Sequence, residues 1–193
     1  MEEKIKLGFA MCGSFCTIGR STEVLASLAE KHGGWEFIPI ISEHTASFDT
    51  RFGRAADTVR RVEDICGRPA VCSIVDAEPL GPREPLDLMI ICPCTGNTLA
   101  KLASGITDTS VTMAAKAHLR CDRPLVIALA TNDAMSANFR NIASLVSRKC
   151  VYFVPMRQDD PVGKPHSLVA DFSMLEATVD DAFGGRQTRR IFI

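Results

Sequence analysis

The chain has 193 residues, 46% of them apolar, and its 22 Lys and Arg stand against 23 Asp and Glu for a formal net charge of −1. A domain of this length buries about 70% of the surface its unfolded chain exposes, enough for one core without staples. The balanced charge excludes a large nucleic-acid footprint, which takes a clustered excess of cations to displace phosphate counterions, and no apolar run approaches the ~18 residues of a membrane span.

Along the chain, short β-rich runs alternate with helical periods, the pattern of parallel βα units. Strands are expected at Ile5–Ala10, Glu36–Ile41, Leu86–Cys92, Leu125–Ala130 and Val151–Val154. The runs LMIIC and LVIALA are almost continuously apolar, as central strands covered on both faces require. Helices are expected at Thr22–Lys31, Arg54–Cys66, Asn97–Ser104, Ser110–Arg120, Ser136–Arg148 and Leu168–Phe183. In the last, Leu168, Phe172, Leu175, Val179 and Phe183 form one stripe, read as packing against a sheet. No repeat or linker divides the chain, so residues 1–193 read as one α/β domain: a three-layer, doubly wound parallel sheet. Residues 184–193, with three arginines and an apolar end, read either as a frayed tail or as an arm docked on a neighbouring copy.

The opening MEEKIKLGFAMCG lacks the basic start and long apolar stretch of a secretory signal, so a soluble cytoplasmic protein is expected. The eight cysteines are scattered through apolar surroundings; they read as small buried hydrophobes, with no disulfide framework and no metal site. Cys12 and Cys94 stand in two loops expected to face each other beside helix N-termini, which favour thiolates. A redox pair and plain packing both fit them. Asp159-Asp160-Pro161 reads as a turn with solvated carboxylates, since a calcium site needs more oxygen ligands at regular spacing.

Ligands of doubly wound sheets bind beyond the carboxyl ends of the strands, near the point where strand order reverses. That rule selects the loops Met11–Thr17, Ser42–Gly53, Pro93–Thr98 and Thr131–Asn138. The first carries Gly8-Phe-Ala-Met-Cys-Gly13-Ser14, either a bare tight turn or a phosphate cradle of backbone N–H groups. It nearly matches the dinucleotide fingerprint, with Ala10 at the second glycine and Glu43 as a ribose ligand. Thr95-Gly96-Asn97-Thr98 holds more small hydrogen-bonding groups than one helix cap requires, which suits a planar polar ligand.

The block Pro93-Cys-Thr-Gly-Asn-Thr-Leu-Ala-Lys-Leu-Ala-Ser-Gly-Ile-Thr-Asp108 resembles the Pro-Ala-Ser-Ala-Asn-Thr block of the flavoprotein family, which includes cysteine decarboxylases and prenyl-flavin synthases. Thr50-Arg-Phe-Gly53, Ala77-Glu-Pro-Leu-Gly-Pro82, Met113-Ala-Ala-Lys-Ala117, Thr131-Asn-Asp-Ala134 and Gln158-Asp-Asp-Pro161 bring the resemblance closest to the branch that serves dipicolinate synthesis in spore-forming bacteria. It spans nearly the whole chain.

The resemblance implies a Rossmann-like or flavodoxin-like domain with about six parallel strands, FMN as cofactor, and a homo-oligomer. It implies an A subunit as partner, carrying NAD(P), with which the chain oxidises dihydrodipicolinate to dipicolinate during sporulation. Carried over residue by residue, the FMN contacts fall on Gly13, Ser14, Ser42, Thr95, Gly96, Asn97 and Thr98. Two departures stand out. The decarboxylases' essential histidine corresponds to Pro79, beside Glu78, and their Pro-x-Met-Asn motif to Thr131-Asn-Asp-Ala134. A proline cannot take a substrate proton, so peptide cysteine decarboxylation is disfavoured.

A dicarboxylate substrate calls for fixed cations. Arg51 is the first candidate, with Arg54 and Lys116 behind it, and Glu78 is a candidate base; each is equally read as surface charge. Of the histidines, His44 alone falls near the expected site. Two further readings stay open: a non-catalytic scaffold without flavin, and a free-standing FMN enzyme acting on small carboxylates.

Overall fold

A computed structural model describes residues 4–193. The strands β1 (Lys6–Met11), β2 (Glu36–Ile41), β3 (Leu88–Cys94), β4 (Leu125–Thr131) and β5 (Val151–Phe153) pair in parallel in the order 2-1-3-4-5, with Lys6 opposite Glu36, Leu7 opposite Leu88, and Met89 opposite Leu125. Their side chains alternate with the period of two that a doubly covered sheet imposes. Leu7, Phe9, Met11, Leu88, Ile90 and Cys92 pack on one face, and Ala10, Met89, Ile91, Ile127 and Leu129 on the other.

The helices are α1 (Ile18–Lys31), α2 (Glu43–Ser47), α3 (Ala55–Cys66), α4 (Ile74–Ala77), α5 (Gly96–Ser104), α6 (Ser110–Leu119), α7 (Phe139–Val146) and α8 (Leu175–Phe183). The first face of the sheet is covered by α1, α3 and α8 through Leu25, Leu28, Val62, Leu175 and Val179. The second is covered by α4 to α7 through Ala77, Leu99, Leu102, Ala114, Ala115, Ile142 and Leu145. This is the three-layer, doubly wound α/β architecture. Strand order reverses between β1 and β3, so their carboxyl ends lie side by side; there Cys12 donates its backbone N–H to the Pro93 carbonyl at 3.1 Å.

Several expectations are corrected. Among the described residues five strands are parallel, not six. Two further short strands, β6 (Met156–Arg157) and β7 (Leu168–Ala170), connected by the loop 158–167, form an antiparallel pair joined to the end of β4. The stripe beginning at Leu168 is therefore strand at first, and α8 starts only at Leu175 after a 3₁₀ turn over Phe172–Met174, which Asp171 opens by accepting the Ser173 N–H at 3.1 Å. Two short helices, α2 and α4, were not legible; Ser42 and Ser73 start them by accepting the Thr45 and Asp76 N–H groups.

The tail lies against its own chain. Gln187 donates to the Phe153 carbonyl and accepts its N–H, both at 2.7 Å. The Met156 N–H then donates to the Ile191 carbonyl at 2.7 Å and the Ile193 N–H to the Met156 carbonyl at 3.1 Å, which seats the last residues beside β6. Among the described residues no helix is long and apolar enough to cross a membrane.

Candidate functional site

The loops after β1, β3 and β4 meet the 50–53 turn and the 158–167 loop around one cleft of about 670 Å³. Its lining includes Gly13, Ser14, Arg51, Thr95, Gly96, Asn97, Thr131, Asp133, Asp159 and Lys164.

Each wall has a local cause. Thr95 caps α5: its Oγ1 accepts the Thr98 N–H at 3.1 Å, and its carbonyl accepts the Leu99 N–H at 2.9 Å. The Gly96 and Asn97 N–H groups are then the ones at the helix start without an intrahelical acceptor, and the positive end of the helix dipole lies with them. In the first loop the Ser14 N–H is bonded to the Cys12 carbonyl at 2.8 Å, so Ser14 offers the cleft its hydroxyl.

Thr131 and Asn138 organise the turn after β4 around Asp133. Thr131 Oγ1 donates to Asp133 Oδ1 at 2.5 Å, Asn138 Nδ2 reaches both Asp133 oxygens at 2.9 Å, and Asn141 Nδ2 donates to Asn138 Oδ1 at 2.7 Å. The Thr131 hydroxyl, with Asn138 behind it, holds the Asp133 carboxyl below the ordinary value of 3.8. Gly96 is fitted against this network. A Cβ there would stand 2.5 Å from Thr131 Oγ1 and 2.6 Å from Asn138 Nδ2.

Of the residues singled out in the sequence, Gly13, Ser14, Thr95, Gly96, Asn97 and Arg51 are brought together on the cleft. Ser42 and Thr98 are buried behind it. Ser42 shares its hydroxyl with Thr45 at 2.8 Å, and Thr98 shares its own with Thr95 at 3.1 Å. Glu78 and Lys116 are exposed and do not line the cleft. Glu43, read as a ribose ligand, instead accepts the Ser110 N–H at 2.8 Å, the first of α6, whose start Thr109 caps. His44 packs on Phe48, and none of the chain's four histidines lines the cleft. Cys12 and Cys94 do face one another's loops, but burial pushes the Cys12 thiol up to about 11 and raises Cys94 well above the ordinary range. Both stay protonated at neutral pH, the reverse of activated thiols.

Arg51 stands at the rim with its guanidinium over the Phe52 ring, 4.8 Å from the centroid, a stacking that suits a planar cation. Among the described residues no carboxylate lies within ion-pair distance of it. Sequence reasoning selected the loop Thr131–Asn138 but named neither Asp133, which lines the cleft, nor Asn138, which supports it, and it did not name Lys164. The position of the Thr131–Asn138 loop at the end of a central strand was the signal for the first two, and the length of the Pro155–Ser167 loop, greater than connection requires, was the signal for Lys164.

A model of the flavoprotein family matches residues 1–177. The chain belongs to the flavoprotein family. Among flavoproteins it is 42% identical to the B subunit of dipicolinate synthase from Bacillus subtilis (strain 168), over 97% of this chain and 93% of that one. The crystal structure of the corresponding dipicolinate synthase chain from Bacillus halodurans C superposes with a TM-score of 0.89 at 39% identity, covering 98% and 96% of the two chains. The FMN-dependent cysteine decarboxylase SpaF superposes with a TM-score of 0.68 at 26% identity, over 92% and 97%.

Proposed function

We propose that this flavoprotein binds FMN and a small dicarboxylate in the cleft, and acts with a separate A subunit carrying NAD(P) to oxidise dihydrodipicolinate to dipicolinate. The observation that carries the reading is the joint presence in one cleft of Gly96 and Asn97, whose helix-start N–H groups have no acceptor among the described residues, and Arg51, which has no carboxylate partner among them. The likeness to the dipicolinate synthase chain of Bacillus subtilis supplies the substrate class. The setting proposed is the mother-cell cytoplasm of a sporulating bacterium. An assembly of several copies belongs to the same reading, with Met135, Phe139, Phe192 and Ile193 leaving an apolar face around one depression for a second copy to cover.

The donors fit FMN. A phosphate or ribityl chain needs several short donors near a helix N-terminus, and Gly13, Ser14, Thr95, Gly96 and Asn97 would hold it; the cleft volume lies in the range of ordinary cofactor sites. When bound, FMN supplies a two-electron acceptor. The chain's own residues do the rest. Arg51 fixes a substrate carboxylate through its planar fork. Oxidising a dihydropyridine also releases a proton, and the carboxylates lining the cleft are Asp133 and Asp159, which replace Glu78 as the proposed acceptors. Hydrogen bonds hold both carboxyls below the ordinary carboxylate value, and Asp133, with both oxygens occupied by Thr131 and Asn138, serves chiefly to hold the turn. Lys116, away from the cleft, has no part in this scheme.

The absence of histidine from the cleft lining favours one rival reading, a flavin-free scaffold that completes the A subunit's site. Two experiments separate the possibilities. Purified protein showing oxidised-flavin absorbance excludes the scaffold. An A-subunit assay in which dihydrodipicolinate oxidation stops when this chain is omitted supports the two-subunit enzyme; oxidation by this chain alone indicates a free-standing flavin enzyme.

A further inference from the structure

Two cations line the cleft, and they come from different walls: Arg51 from the turn between α2 and α3, and Lys164 from the loop between β6 and β7. The loop is built to present Lys164. The Lys164 N–H donates to the Asp160 carbonyl and the Gly163 N–H to Asp160 Oδ1, both at 2.8 Å. Gln158 Nε2 crosses the loop to the Pro165 carbonyl at 2.8 Å. The Met135 N–H reaches the His166 carbonyl at 3.0 Å, which ties the loop to the turn after β4. Lys164 Nζ itself lies 3.1 Å from Asp159 Oδ2, and Asp159 shares the cleft wall.

We propose that Lys164 is a second carboxylate-binding cation of the cleft, which makes the site selective for dicarboxylates over monocarboxylates. The inference rests on the reading above, in which the substrate is a small dicarboxylate. An ammonium group has three donors. One faces Asp159, which holds the flexible side chain against the wall and leaves two for a ligand. The pair is exposed, with 49% of the lysine and 34% of the aspartate side chain accessible, and an exposed pair contributes little by itself. Lys164 therefore keeps one donor toward Asp159 and turns the other two to an incoming carboxylate at small cost. A monocarboxylate satisfies one of the two cations and leaves the other idle, whereas a ring carrying two carboxylates engages both.

The test is equilibrium binding, by calorimetry on FMN-saturated protein, of pyridine-2,6-dicarboxylate and pyridine-2-carboxylate to the wild type, Lys164→Gln and Arg51→Gln/Lys164→Gln. The expected result is that Lys164→Gln weakens the dicarboxylate at least about tenfold, changes the monocarboxylate less than about twofold, and leaves FMN affinity unaltered, while the double variant loses both acids. Equal weakening of both acids, an unchanged dicarboxylate affinity, or a fall in FMN affinity that makes Lys164 a cofactor phosphate ligand overturns the proposal. A wild type that binds FMN but neither acid contradicts the underlying dicarboxylate reading instead, and this inference goes with it.

Discussion

Gly96 lies so close to Thr131 that a β-carbon on residue 96 would stand 2.5 Å from the threonine Oγ1. The start of α5 and the turn after β4 are thus fitted to each other without room for one methyl group, and this fit sets Gly96 and Asn97 on the cleft wall. Gly96→Ala should push Thr131 and Asn138 off Asp133, with an overpacking cost of about 1–3 kcal/mol. Thermal unfolding and an FMN titration check this; a variant with unchanged stability and unchanged FMN affinity would show that the fit does not matter.

Asp133→Ala should expose how much the turn depends on one carboxylate. Asn138 is buried, and its side-chain amide has both Asp133 oxygens as acceptors. Removing them leaves buried N–H groups unpaired, at about 1–3 kcal/mol. The pH dependence has a definite sign. The folded-state carboxyl titrates below the ordinary 3.8, so its stabilisation is full above that value and is lost as pH falls through the lower folded value. Denaturant unfolding of Asp133→Asn should therefore fall less steeply below pH 3.8 than the wild type. A parallel decline would show that the carboxylate is not held as described.

His118 governs a separate window. It is fully buried on α6, its Nε2 lies 2.8 Å from the Pro124 carbonyl, and its Nδ1 has no partner. Burial lowers its pKa from 6.5 to about 4. The neutral ring is the folded form, so stability is full above pH 6.5 and is lost as pH drops towards 4, by about 3 kcal/mol across that span. In His118→Gln this decline should disappear, because no group at that position titrates there. A decline equal to the wild type's would contradict the assignment.

The fold was legible where one physical signal dominated. LMIIC and LVIALA announced β3 and β4, whose residues are buried on both faces, and the rule placing ligands at strand ends drew attention to the loops that now line the cleft. It was illegible where two signals coincided. Leu168 extends the apolar spacing of α8, yet it belongs to β7, because its pairing with Thr131 fixes the backbone as strand. Thr95 was ambiguous for a related reason: the same residue caps α5 and lines the cleft. The Asp133–Asn138 network and the approach of Lys164 to the cleft depend on side chains meeting across turns and loops, which no local periodicity encodes.

Gly13 offers the most direct test of the account, since a β-carbon there would meet only the edge of the Phe15 ring, at 3.3 Å, and Thr45 Oγ1, at 3.8 Å. Gly13→Asp therefore adds negative charge to the cleft wall with little disturbance of packing. In a fluorescence titration with FMN, the wild type should saturate at one FMN per chain, and Gly13→Asp, folded by circular dichroism, should bind at least about a hundredfold more weakly. A wild type that leaves FMN free, or a variant that binds it as tightly as the wild type, would contradict the cleft as the flavin site.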